Sequence, residues 1–179
     1  MTASTPRRML VAALAIAVLG LLALAGPSHG AAETGTFQFQ TTETDPIDLT
    51  ATCLGPGATG TITSTDTVVG RFTENGPPAF GFHDHGTSTS TIRVDLADGR
   101  YIVGSLVAHF DDDATHASQL TSTQITRGQA TLYAPDGHPL GPVTVHATSH
   151  LSWRDANGDH APDPGEFTAN VDDLRLTCL

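Results

Sequence analysis

Six residues between Asp155 and Glu166 have the types and spacing to hold a metal ion. Asp155, Asn157, Asp159, Asp163 and Glu166 place oxygen side chains at positions 1, 3, 5, 9 and 12 of a twelve-residue loop. Ala161, at position 7, offers a backbone carbonyl. A calcium loop takes one oxygen from each of the first three side chains. It then takes a carbonyl, a direct or water-bridged carboxylate, and a bidentate final Glu. Four carboxylates in one turn repel each other unless a cation sits among them. Oxygen donors in that number suit calcium, which is the expected cofactor. The alternative is a solvated acidic hairpin loop without metal.

The stretch from Trp153 to Glu166 resembles the W-x-D-x-N-G-D-G-x-x-D-P-G-E loop in the B repeats of Gram-positive surface adhesins, and dockerin and EF-hand-type loops. The resemblance covers that stretch and not the whole chain. It implies calcium held in a turn that braces a β domain. Two departures stand out. EF-hand loops have Gly at position 6, where this chain has His160, and the flanks here read as strands instead of helices. Gly158 is the residue available to make the sharp turn.

Histidines form the second constellation. His83-Asp84-His85 puts two imidazoles on one side of an extended strand. His109, His146 and His150 join them as a candidate second metal or ligand site if their strands are neighbours. Imidazoles so arranged suit zinc, copper or iron. The His83-x-His85 pair is similar to the first metal motif of cupin barrels, but Ser88 to Ser90 stand where that motif has a Glu. Pro135-Asp136-Gly137-His138 partly echoes the second cupin motif. A His-rich solvent face of a β protein is the alternative.

Other catalytic chemistry finds little support. No G-x-S-x-G elbow is present. Acids for a glycosidase pair cannot be singled out, because most lie in the loop above or in Asp111-Asp112-Asp113, which reads as a solvated turn. No catalytic residue is therefore assigned.

The elements that must position these groups read as β throughout. Thr36–Gln40 and Ile47–Cys53 alternate with period two, and Thr59–Val69 and Thr87–Leu96 are rich in β-branched residues. Asp98-Gly99 and Asp136-Gly137 are hairpin signals. They divide Thr91–Leu96 from Arg100–Phe110, and Gln129–Ala134 from Pro142–Trp153. Ser118–Thr126 and Phe167–Cys178 complete the set. In Pro142–Trp153, Val143, Val145, Ala147, Leu151 and Trp153 share one face, and Thr144, His146, Thr148, His150 and Ser152 share the other. The expected fold is a single antiparallel β-barrel or β-sandwich of about eight to nine strands, with no linker or internal repeat.

Residues 1–30 read as a secretory signal. Arg7 and Arg8 precede an apolar run from Met9 to Ala25, and small residues lead to a cleavage point after Gly30. Residues 31–179 would then be one secreted domain, free of the membrane. The chain carries a net charge of −11 and no lysine, a balance that repels nucleic acid and anionic membranes. Cys53 and Cys178 are the only two cysteines, so in an exported chain they have one intramolecular pairing open to them.

Three functions follow as expectations. The first is a non-catalytic extracellular module with a structural calcium. The second is a metal- or His-dependent enzyme built on His83 and His85. The third is a small barrel enclosing an apolar ligand. The direction in which the histidines point discriminates among them.

Overall fold

The computed structural model describes residues 32–75, 81–115, 119–154, 156 and 166–179. The expected leader and its cleavage point lie outside these. Seven long strands follow one another: β1 (Glu33–Asp48), β2 (Thr59–Asn75), β3 (Gly81–Leu96), β4 (Tyr101–Thr115), β5 (Gln119–Tyr133), β6 (Pro139–Arg154) and β7 (Phe167–Cys178). They form one antiparallel sheet in the order β1-β2-β3-β4-β5-β6-β7. Every strand pairs with its neighbour in sequence, so the sheet is a simple meander.

The all-β antiparallel expectation stands, but two of its details change. The sheet is open, with β1 and β7 as edges, and no second sheet is present among the described residues. It is therefore neither a closed barrel nor a sandwich. The strands number seven because pairs of expected segments are single strands. Ser118–Thr126 and Gln129–Ala134 fuse into β5, since Arg127 and Gly128 keep their register with β4. Ile47 and Asp48 end β1, and the chain turns at Leu49 instead of running on to Cys53. Pro46 fits β1 because an edge strand has one side on which no amide donor is needed.

Both Asp-Gly turns form as expected, and by the same chemistry. The carboxylate of Asp98 accepts from the Arg100 amide at 3.0 Å, and that of Asp136 accepts from the His138 amide at 3.0 Å. Gly99 and Gly137 take φ of 85° and 88°, a region open to glycine at little cost.

Period two separates the faces cleanly. Ile62, Val68, Ile92, Val94, Leu96, Ile102, Ala108, Ala130, Leu132, Val143 and Val145 are buried on one, the inner face. The outer face carries exposed or half-exposed Thr, His and Arg. Cross-strand threonines bond there, Thr42 to Thr65 at 3.1 Å and Thr44 to Thr63 at 3.2 Å. β4 is the middle strand. Val103 and Val107 on its outer side nonetheless remain about 40% exposed.

With no second sheet among the described residues, part of the inner face is covered by the chain's own β1–β2 segment. The segment between β1 and β2 folds over one end and packs Leu49, Leu54 and Ala58 against Ile62, Ile92, Val94, Ile102, Leu132 and Val143. A disulfide from Cys53 to Cys178 fastens that segment to the end of β7, with Cα atoms 5.9 Å apart. Midway along the face, Phe37 of β1 and Phe110 of β4 stack with ring centroids 6.3 Å apart. Gly70 and Gly86, opposed on β2 and β3, lie beneath them. A Cβ at Gly70 would strike the Phe37 ring, and one at Gly86 the Phe110 ring.

Cys53 and Cys178 are 125 residues apart in sequence. Opening a loop of that size costs about 4–5 kcal/mol in the chain-entropy model. A Cys53→Ala/Cys178→Ala variant is therefore expected to unfold at a markedly lower urea midpoint, with Leu49, Leu54 and Ala58 no longer pinned. An unchanged midpoint would show that packing alone holds the segment.

Candidate functional site

The loop-bearing end of the sheet, where β2 meets β3, β4 meets β5 and β6 meets β7, carries the chain's candidate chemistry. Asp155, Asn157, Asp159, Ala161 and Asp163 lie outside the described residues. Glu166, the final residue of the acidic loop, does not. It is buried, and its carboxylate joins both sides of the loop's base. The Trp153 indole donates to Oε2 at 3.0 Å, and the Ala156 amide donates to Oε1 at 2.8 Å. The Arg154 amide donates to the Glu166 carbonyl at 3.1 Å. A register shift between Ser152 and Trp153 sits at this point, where bulges commonly re-aim a strand end.

His83, His85, His109, His146 and His150 all stand on the outer face. His83 and His85 of β3 are close, with ring centroids 5.6 Å apart. Across the strands they face Asp113 and Asp111 of β4. His83 Nδ1 lies 3.9 Å from Asp113 Oδ2, a pair about half exposed and worth little in stability. His109 instead shares a hydrogen bond with Thr87 at 3.3 Å, and His150 with Thr123 at 3.0 Å. His146 stands between Arg127 and Arg175 in register, where cationic neighbours disfavour a metal ion. The five spread across β3, β4 and β6 and do not converge. Among the described residues, no three of His, Cys, Asp and Glu are grouped to hold a metal ion.

The acids on the inner face were missed by sequence reasoning. Asp111-Asp112-Asp113 is not a turn but the end of β4. Its alternation turns Asp112 inward, where it is 8% exposed, opposite the fully buried Asp84 of β3. Further along, Asp66 is buried on β2 and ringed by serines. Ser64 donates to it at 2.7 Å, Ser88 at 3.4 Å, and Ser90 closely. Each of these acids sits at an inward position of a period-two strand, which is the signal that locates it.

Their electrostatics differ. Asp66 has three hydroxyl donors. No side-chain donor other than the facing carboxyl reaches either oxygen of Asp84 or the Oδ1 of Asp112. Burial, above all, pushes the Asp84 carboxyl up to about 7, and the nearby Asp112 carboxyl and the charge of Asp111 add to this. Asp112 is also raised, chiefly by burial; the Ser122 hydroxyl bound to it acts the other way. Glu43, on the same inner face of β1, is raised by burial and by Asp45 and Asp66.

The chain matches no family model, no curated protein and no solved structure.

Asp84 supplies a pH prediction. Its carboxyl is raised in the folded protein, so the folded state holds the proton more tightly than the unfolded chain does. The stabilisation is complete below the ordinary carboxylate value and is lost as pH rises through about 7. With chelator present, thermal stability is expected to fall between about pH 5 and about pH 8. Asp84→Asn should flatten that slope and be the more stable protein at the alkaline end. Melting curves followed by circular dichroism check this, and the difference between the two proteins isolates Asp84 from the surface histidines. Equal slopes would place the proton elsewhere.

Proposed function

We propose that this chain is a secreted, non-catalytic β module whose loop between β6 and β7 binds a structural calcium ion. The ligands are Asp155, Asn157, Asp159, the Ala161 carbonyl, Asp163 and Glu166. One observation carries the reading: the Glu166 carboxylate spans the base of the loop from Trp153 to Ala156. Those bonds draw the second and twelfth loop positions together, as a ring of ligands around one ion requires.

The outward scatter of the histidines supports a module over an enzyme built on His83 and His85. The apolar end of the inner face is filled by Leu49, Leu54 and Ala58, which speaks against a cavity for an apolar ligand there. The acidic net charge fits a protein that gathers cations and avoids nucleic acid. Secretion rests on the apolar leader and on the Cys53–Cys178 bond, which persists in oxidising surroundings.

Calcium should stabilise the fold, because it binds the folded loop and not the unfolded chain. At about a hundredfold excess over the dissociation constant the gain is about 2.7 kcal/mol. The test is a thermal melt in chelator and then in calcium, on wild type, Glu166→Gln and His160→Gly. Wild type is expected to melt higher with calcium, Glu166→Gln to lose that increment, and His160→Gly to keep or enlarge it. Magnesium should substitute poorly, since it prefers a smaller octahedral shell and retains its waters. A wild-type melt indifferent to millimolar calcium would reduce the loop to an acidic turn.

A further inference from the structure

The inner face at the loop-bearing end holds two opposed acids that burial leaves incompletely neutralised. Asp84 and Asp112 occupy directly opposed positions of β3 and β4. Asp84 has no exposed surface and Asp112 retains 8%. Three of their four carboxylate oxygens are buried with no donor beyond the facing carboxyl and the Asp84 backbone. Ser122, opposite Asp112 on β5, gives its hydroxyl to the Asp112 carboxyl. The neighbouring inward positions hold Phe72, Phe82, Phe110, Leu120 and Leu151, which offer no charge, and Glu74, which adds a further acid. By strand parity every Arg and His of β2 to β6 from Arg71 to His150 points outward. Buried charges in proteins are paired or coordinate metals, and buried polar atoms almost always have partners. The one basic group that acts on the pair is His83, whose charge lowers the Asp112 carboxyl but is the smallest of the influences on it.

We infer that Asp84 and Asp112, with the Ser122 hydroxyl, form an internal site for a hard divalent cation of the calcium or magnesium class. A shared proton neutralises one charge and bridges two oxygens. It leaves a net negative charge and an orphaned oxygen among apolar side chains. A divalent ion neutralises both carboxylates and takes all three orphaned oxygens as ligands. An oxygen-only donor set selects a hard ion over zinc or copper, which favour nitrogen and sulfur. The site shares no residue with the 155–166 loop and does not depend on calcium binding there.

Calorimetric titration of the full chain with calcium chloride, and separately with magnesium chloride, tests the inference. The proteins are wild type, Glu166→Gln, Asp84→Asn, and Asp84→Asn/Asp112→Asn, each checked for β structure by circular dichroism. The expected result is a binding event that survives Glu166→Gln and is absent from the double Asn variant. The single Asp84→Asn variant, which keeps one carboxylate, should weaken the same event by roughly tenfold or more. No event surviving Glu166→Gln, or an event that Asp84→Asn leaves unchanged, overturns the site and leaves a proton as the partner of the pair. Retention of this event with loss of the Glu166-dependent one counts for this site and against the loop alone.

Discussion

A single sheet has two faces, and only one of them can meet water cheaply. That constraint governs the rest of this structure. Seven strands in a meander leave an apolar inner face with no second sheet among the described residues to cover it. Burial of apolar surface contributes roughly 25 cal/mol per Å², so the face cannot be left open. The chain covers one end with its own β1–β2 segment, and the Cys53–Cys178 bond keeps that segment from lifting. In the middle, Phe37 and Phe110 lie across Gly70 and Gly86. The glycines are needed because any side chain there would occupy the volume the rings fill.

The same parity that sorts apolar from polar also sorts charge. Basic side chains of β2 to β6 face solvent, while Asp66, Asp84 and Asp112 face inward. Asp66 sits among serines, whose hydroxyls make charge-assisted bonds worth more than neutral ones. Asp84 has no hydroxyl donor and Asp112 has only that of Ser122, and their raised carboxyls record the cost. Buried acids of this kind weaken a fold unless something neutralises them. The inner acids at the loop-bearing end and the acidic loop beyond it make that end the place where a cation has most to do.

Much of this architecture was legible in the chain. Alternation gave the faces of β6, Asp98-Gly99 and Asp136-Gly137 gave two turns, and two cysteines gave one bond. The strand count was harder, because Arg127-Gly128 and Leu49 to Cys53 read equally well as breaks or continuations until a partner strand fixes their register. An open sheet was not legible either. Strand pattern does not say whether β1 and β7 meet, and here they do not pair. Asp111-Asp112-Asp113 misled for a different reason. Composition favours a solvated turn for three acids, whereas β4 continues through them because its neighbours β3 and β5 run to the same length. The outward histidines were visible as a period-two set, but their separation over three strands was not.

The central functional claim is that calcium enters the loop closed by Glu166. Trp153 is the only tryptophan of the chain, is buried, and donates its indole proton to the Glu166 carboxylate. It is therefore a built-in reporter of that carboxylate. The most direct measurement is Trp153 emission during a calcium titration from chelator into the millimolar range. The account predicts a saturable change in intensity or wavelength that chelator reverses and that Glu166→Gln abolishes. Emission that stays constant across the titration, in a protein that remains folded, would contradict it.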